Sequence, residues 1–178
     1  TNFMVFRYAE TLLNYAEALA ELDGVGNAQK IIDALQPLRD RVGMPPVDFD
    51  REYNQEADYG FRNLDKYIQA VRRERRVEKA LENCRLTDIL RWAAADELIV
   101  GKTPTGALYT GSTLGEHFNG IMTVGSNIWL KDGYIVAFNN TNYPNGWQFN
   151  VNRDYLLPIR QEMVGNLTGG LWEQNPGW

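Results

Sequence analysis

The sequence predicts a mainly α-helical protein with an irregular, loop-rich insertion that carries a short β-hairpin. Residues 1–99 repeat apolar side chains at the three- and four-residue spacing of amphipathic helices. Residues 100–150 lose that spacing and are rich in glycine and asparagine. Within them Asp132-Gly133 separates two apolar runs, which is a strong signal for a hairpin turn. We therefore predict a helical scaffold over 1–99, an insertion over 100–150, and an extended tail over 151–178 that packs on the helical body.

The first two predicted helices form a helical hairpin. The first covers about residues 6–22, and the second begins after Asn27, a favourable N-cap, and extends to about residue 42. The run from Tyr15 to Leu19, followed by a glycine turn and an alanine, resembles half of a tetratricopeptide-type helix pair. No second copy follows 34 residues later, so the resemblance is limited to one pair of helices.

A third helix is predicted from Leu64 to about Glu82 or beyond, capped by Asn63, and a second segment from Leu86 to Ile99 continues or bends it. One face of this helical stretch changes character halfway. Nine side chains alternate in steps of four and three residues and so share that face: Leu64, Ile68, Val71, Arg75, Glu78, Glu82, Arg85, Ile89 and Trp92. The four charged members sum to zero and have apolar neighbours on both sides. They should neutralise one another, because an unpaired buried ion is very costly. Two interpretations follow, an ionic lock between helices or a polar active site.

Composition excludes several classes of function. The net charge is −5 and the basic residues do not form one stripe, which argues against nucleic acid as a partner. Cys84 is the only cysteine, so neither a disulfide framework nor a cysteine metal site is predicted, and His117 is too distant to serve as its base. The acidic residues near Asp48 lack the spacing of a calcium loop. We predict no cofactor and no metal.

No stretch reaches the length of a membrane helix, and no signal peptide is visible. The chain opens on Thr1 and enters a strong helix almost at once. We therefore expect a processed or truncated product.

Three blocks of sequence point to a family. They are Tyr15-Ala16-Glu17-Ala18; Glu74-Arg75-Arg76-Val77-Glu78 followed by Glu82, Arg85, Asp88, Ile89, Leu90, Arg91 and Trp92; and Tyr155-Leu156-Leu157-Pro158-Ile159 with Gln174-Asn175-Pro176-Gly177-Trp178. In this order they resemble the C-terminal part of the SusD/RagB family, over about residues 6–43, 64–93 and 155–178. The final block is the most specific, and residues 100–150 correspond to a variable insertion. The resemblance implies that the chain is the C-terminal portion of a longer protein whose N-terminal part carries a lipid-bearing cysteine.

The resemblance also implies a function. SusD/RagB proteins bind glycans at the surface of the Gram-negative outer membrane and deliver them to a TonB-dependent, SusC-like β-barrel transporter. The expected partners are thus a glycan and that transporter, with a membrane contact only through the lipid anchor and with no enzymatic activity. A helical-repeat scaffold for a protein partner is the first alternative, and a glycoside hydrolase is the second.

Candidate sugar-binding residues lie in the insertion, where aromatic rings stand among asparagines. Flat C–H faces of sugars suit aromatic rings, their hydroxyls suit asparagine side chains, and loops on a rigid scaffold commonly carry binding residues. The candidates are Trp129, Tyr134, Tyr143, Trp147 and Asn145. Packing of the insertion against the helices is an equally open interpretation of these rings, most of all for Trp129 and Tyr134.

The charged residues of the third helix are interpreted as a structural ion-pair cluster formed by Arg75, Glu78, Glu82, Arg85 and Asp88. Two carboxylates one helical turn apart could serve glycoside hydrolysis, which needs a separation of about 5–10 Å. Each of the two glutamates, however, has an arginine neighbour that would keep it ionised, and a general acid needs the reverse. Glu82→Gln should therefore mainly lower the melting temperature.

Overall fold

The computed structural model describes residues 7–53, 64–136, 145–164 and 172–178. These form two compact units, residues 1–92 and 93–178. The first unit contains α1 (Tyr8–Asp23), α2 (Ala28–Asp40), α3 (Phe49–Glu52), α4 (Lys66–Glu78) and α5 (Arg85–Arg91). The second contains α6 (Ala95–Leu98), β1 (Thr105–Leu108), α7 (Thr113–His117), β2 (Trp129–Lys131) and β3 (Tyr134–Val136). The prediction of a mainly helical fold with a short β-hairpin is confirmed.

The core of the first unit lies between α1, α2 and α4, which pack against one another. Leu13, Ile31, Leu35 and Val71 are fully buried there. Their positions follow the apolar spacing of each helix, because side chains three or four residues apart share one face. The predicted bounds of α1 and α2 differ from the observed ones by at most two residues, and Asn27 precedes α2 without forming a side-chain cap hydrogen bond.

The predicted extent of the third helix and the single face of its stripe are wrong, whereas the alternative of a bend before residue 86 agrees with the structure. α4 ends at Glu78, and a turn over residues 79–84 separates it from α5, so the nine-residue stripe does not lie on one helix. Leu81 (φ 66°) and Asn83 (φ 59°) in this turn have left-handed backbone conformations that no α-helix allows. The start also differs, because Asp65 caps α4 by accepting a hydrogen bond from the Tyr67 amide. The predicted cap, Asn63, lies outside the described residues.

The second unit contains a three-stranded antiparallel sheet in the order β1-β3-β2. β2 and β3 form the predicted hairpin, whose turn residues Asp132 (φ 52°) and Gly133 (φ 84°) both have positive φ. This is the backbone of the type I′ turn that Asp-Gly favours. The sequence did not predict β1, which pairs with β3 through an irregular register. Among the described residues, none of the helices is both long and apolar enough to cross a membrane.

The C-terminal residues are held within the second unit by side-chain hydrogen bonds to backbone groups. The Gln174 side chain accepts from the Ile159 amide and donates to its carbonyl, both at 2.8 Å. Trp178 donates from its ring to the Leu156 carbonyl at 2.8 Å, and the Arg153 guanidinium lies 4.6 Å from the centre of the Trp178 ring. The Gln-Asn-Pro-Gly-Trp block therefore fastens the end of the chain to the segment that precedes it.

Candidate functional site

Asp88 is the centre of a buried ion-pair network in the first unit. It is 3% exposed and accepts hydrogen bonds from Arg75 Nε at 2.8 Å on both carboxylate oxygens and from Arg91 Nε at 3.0 Å. Arg75, itself 5% exposed, also donates to the side-chain oxygen of Asn14 at 2.8 Å. The network thus joins α1, α4 and α5, and its buried charges are hydrogen-bonded as their burial requires.

Glu17 extends the network along α1. It is 7% exposed and accepts two hydrogen bonds from the Arg91 guanidinium, at 2.6 and 2.7 Å, and one from the Trp92 ring nitrogen at 2.6 Å. Burial raises the pKa of Glu17, but the hydrogen bonds from Arg91 and Trp92 outweigh burial and leave that pKa below its ordinary value. Glu17 is therefore ionised at neutral pH.

Glu78 and Glu82 also have cationic partners. Arg7 binds both carboxylates, donating to Glu82 at 2.6 Å; Arg41 donates to Glu78 at 2.8 Å; and Lys79 pairs with Glu82 at 2.8 Å. The hydrogen bonds from Arg7 and then from Lys79 lower the pKa of Glu82 to about 2. Glu82 is thus held in the ionised form.

The partners differ from those expected of a self-neutralising quartet. Arg75 pairs with Asp88, while the Arg85 guanidinium carbon lies 5.8 Å from the centre of the Trp92 ring. Sequence reasoning missed the cations Arg7, Arg41 and Lys79. It also missed Glu17 of α1, the carboxylate that binds Arg91. A signal for α1 was present, because polar residues recur there at steps of four, three and four: Glu10, Asn14, Glu17 and Glu21.

A pocket of about 740 Å³ adjoins this network. Charged and amide side chains of α1, α4 and α5 line it, among them Glu10, Asn14, Glu17, Arg75 and Arg91. Several of the polar groups that line this pocket bind one another: Arg75 donates to Asn14, and Arg91 donates to Glu17. A ligand that used these groups would have to break those contacts. Among the described residues, no group of three or more histidine, cysteine, aspartate or glutamate side chains could hold a metal ion.

The hairpin of the second unit places two candidate rings on one face. Trp129 pairs with Val136 and Lys131 pairs with Tyr134, so Trp129 and Tyr134 are diagonal neighbours on the same side of the β2–β3 ladder. Their exposed fractions are 39% and 42%. Leu108 of β1 lies opposite Tyr134 on its other side and is also exposed. The hairpin therefore presents two half-exposed rings, which we call the aromatic face.

Trp147 and Asn145 lie in a separate segment of the second unit. Trp147 is 45% exposed, and its backbone is fixed by hydrogen bonds with Lys102 and Gly101, each of 2.9 Å. Gly146, with φ 68°, permits this approach, because a Cβ there would lie 2.5 Å from the Gly101 carbonyl carbon. The side chain of Asn145 is exposed. Tyr143, the remaining candidate, lies outside the described residues.

Comparison with protein families gives one result. The model of the SusD family matches residues 1–178, which is the whole chain. The chain belongs to the SusD family. Comparisons with curated proteins and with solved structures find no significant match. SusD-family membership supports a general role in carbohydrate binding and nutrient uptake.

Proposed function

We propose that this SusD-family chain binds oligosaccharide at the outer-membrane surface without cleaving it and that it delivers the glycan to a TonB-dependent, SusC-like transporter. Family membership supports the class of ligand and the class of partner. The aromatic face carries the proposal at the level of residues, since Trp129 and Tyr134 stand side by side and are each about two-fifths exposed. Trp147, Asn145 and Tyr143 are proposed as further contacts.

The exposed area of these rings is large enough for useful affinity. Burying a whole aromatic side chain removes about 150–250 Å² from water, so the exposed fractions of 39% and 42% correspond to about 60–100 Å² per ring. At about 25 cal/mol per Å², a sugar that covers this area gains about 1.5–2.5 kcal/mol from each ring. Fixing the sugar against its translational freedom offsets part of this gain, so modest affinity is expected.

The ionisation of the glutamates argues against the alternative of a glycoside hydrolase. Such an enzyme needs one carboxylic acid that stays protonated to donate to the leaving oxygen. The pKa of Glu82 is lowered to about 2 by Arg7 and Lys79, and the pKa of Glu17 is also lowered. Glu82 and Glu17 are thus ionised at neutral pH, which is unfavourable for a general acid.

The experiment is a calorimetric titration of the full chain with a panel of neutral oligosaccharides, repeated for Trp129→Ala and Tyr134→Ala. Each substitution should weaken binding of the preferred glycan about tenfold, which corresponds to about 1.4 kcal/mol. Trp172→Ala is the matched control, because Trp172 is 48% exposed and lies outside the hairpin. Equal affinity of all three variants and the parent chain would exclude the aromatic face as the binding site. Release of shorter sugars during incubation would contradict the non-catalytic role.

A further inference from the structure

One charged side chain lies on the aromatic face of the second unit. Lys131 is exposed, and it lies two residues from Trp129 along β2 and directly opposite Tyr134 of β3. Residues two apart on a strand face the same side of a sheet, and so do directly opposed residues of two neighbouring strands. Lys131 therefore shares its side of the sheet with both rings, and the rings and the ammonium group form one surface.

The spacing of these three side chains suits contact with a single sugar. Positions two residues apart on an antiparallel strand are separated by about 6.8 Å, and directly opposed side chains begin about 5 Å apart. The four-carbon stem of lysine is flexible and carries its charge over distances of this order. A sugar that stacks on Trp129 or Tyr134 can thus place an acidic substituent within reach of the Lys131 ammonium group.

The charge of Lys131 is not neutralised within the described part of the chain. No carboxylate there lies within 4.0 Å of its ammonium nitrogen, and its side chain forms no hydrogen bond there. The next residue, Asp132, belongs to the turn and not to β2. The other residues at paired positions on this side of the sheet are uncharged: Thr105, Leu108, Trp129, Tyr134 and Val136. Lys131 thus gives these paired positions a positive charge, in a chain whose net charge is −5.

The backbone beneath this surface is fixed by contacts with β1. The amides of Tyr109 and Thr110, which follow β1, both donate to the Gly133 carbonyl, at 2.9 and 3.1 Å. Leu108 lies beside the same turn, since a Cβ at Gly133 would be 3.5 Å from its Cδ1 atom. β3 is paired on both sides, with β1 and with β2. The backbone that carries Lys131 and the two rings is therefore preorganised, which lowers the entropy lost when a ligand binds.

We propose that the aromatic face selects acidic glycans, sugars that carry a carboxylate or a sulfate group, through Lys131. The rings bind the flat face of a sugar, and the Lys131 ammonium group donates charge-assisted hydrogen bonds to the acidic oxygens. This inference rests on the proposed function, because it names the class of glycan that the same surface prefers. A lysine on an edge strand such as β2 also discourages pairing with a second chain, and the experiment separates the two roles.

The test is a calorimetric titration of the full chain at low salt with matched oligosaccharides. The probes are galacturonate, mannuronate and glucuronate oligosaccharides with their methyl esters, and sulfated galactan oligosaccharides with their desulfated forms. Each pair keeps the sugar rings and differs in charge. The best acidic ligand should bind about fivefold more tightly than its uncharged form, which is the ratio expected for one exposed ion pair. A preference for either acidic group supports the proposal and identifies the group that is recognised.

Salt and variants of Lys131 show whether this ratio comes from its charge. The ratio should fall toward one in about 1 M salt, where the screening length is about 3 Å. Lys131→Gln should also reduce it to about one through weaker binding of the acidic form, and Lys131→Arg should retain it. Lys30→Gln is the matched control, because it makes the same change in net charge at an exposed lysine of the first unit, and it should leave the ratio unchanged.

The outcomes separate this inference from the proposed function. Equal affinity for acidic and uncharged forms, or an unchanged ratio in Lys131→Gln, would overturn the acidic preference and leave the glycan site of the aromatic face in place. Dimer formation by Lys131→Gln at an unchanged ratio, measured by analytical ultracentrifugation, would overturn it too and assign Lys131 to protection of the sheet edge. No binding of any of these sugars or of the neutral panel to the parent chain would refute both proposals.

Discussion

Replacement of Asp88 by asparagine tests whether the buried network stabilises the first unit. The change preserves the shape of the side chain and removes one charge from a residue that is 3% exposed. Removing one partner of a buried ion pair lowers the free energy of unfolding by about 3–5 kcal/mol, because the other charge remains buried without its partner. Arg91 keeps Glu17, and Arg75 keeps Asn14 as well as Glu10 at 3.9 Å, so the lower end, about 3 kcal/mol, applies.

Thermal unfolding followed by far-UV circular dichroism measures this loss. Among the described residues, every helix of more than five residues lies in the first unit, so the helical signal reports mainly on that unit. For a chain of this size, 3 kcal/mol corresponds to a decrease in Tm of about 6–12 °C. The matched control is Asp50→Asn, since Asp50 pairs with Lys66 while its side chain is 85% exposed.

The control should leave Tm unchanged within the error of the measurement, because exposed ion pairs contribute little. A double-mutant cycle with Arg75→Gln adds a further check. The two substitutions should together cost much less than the sum of their separate effects, because they remove the same interaction. If Asp88→Asn behaved like Asp50→Asn, the network would not be a stabilising element.

Two further predictions concern the end of α4 and the turn that follows it. Glu82→Gln should lower Tm by a few degrees without changing glycan binding; loss of a sugar-cleaving activity at unchanged Tm would contradict this. The folded pKa of Glu82, about 2, lies below the ordinary 4.5, so its contribution is complete above pH 4.5 and is lost as pH falls toward 2. Tm of the glutamine variant should therefore depend less steeply on pH in that window. Leu81→Gly should raise the free energy of unfolding in urea by about 0.5 kcal/mol, because glycine accepts φ 66°. Leu86→Gly, in α5, should instead lower it by about 1 kcal/mol, and equal losses would contradict the strain at Leu81.

The sequence predicted the elements that depend on local signals. α1 and α2 have amphipathic spacing that decides which face is buried, and Leu13 and Leu35 are accordingly fully buried. The hairpin turn was predictable for the same reason, because Asp132 and Gly133 tolerate the positive φ values that the turn requires. In these elements, neighbouring residues alone carry enough information.

Local signals left a bend between α4 and α5 open but did not place the break after Glu78. The spacing of charged and apolar residues continues from α4 into α5, and the turn between them contains neither glycine nor proline. The chain bends there although Leu81 must take an unfavourable conformation. The bend allows Asp88 of α5 to meet Arg75 of α4 and lets Arg91 reach Glu17 of α1. Contacts between distant residues thus override a local preference for a longer helix.

The candidate site was predictable only in part. Alternation along the hairpin was enough to place Trp129 and Tyr134 on one side, once the turn was fixed. The position of Trp147 depends on a backbone hydrogen bond to Lys102, a residue 45 positions earlier in the sequence. A contact between such distant residues leaves no local pattern. The sequence therefore identified the rings but not the backbone contacts that hold Trp147.

Buried and exposed charges of the first unit should contribute differently to its stability. Asp88 and Glu17 are buried and hydrogen-bonded to cations, so their charges serve the packing of the helices. Arg76, by contrast, is exposed, and among the described residues it forms no ion pair with the network. Substitutions should separate the two positions: Asp88→Asn lowers Tm, whereas Arg76→Gln leaves Tm unchanged within the error of the measurement. A lower Tm for Arg76→Gln would mean that Arg76 is also part of the stabilising network.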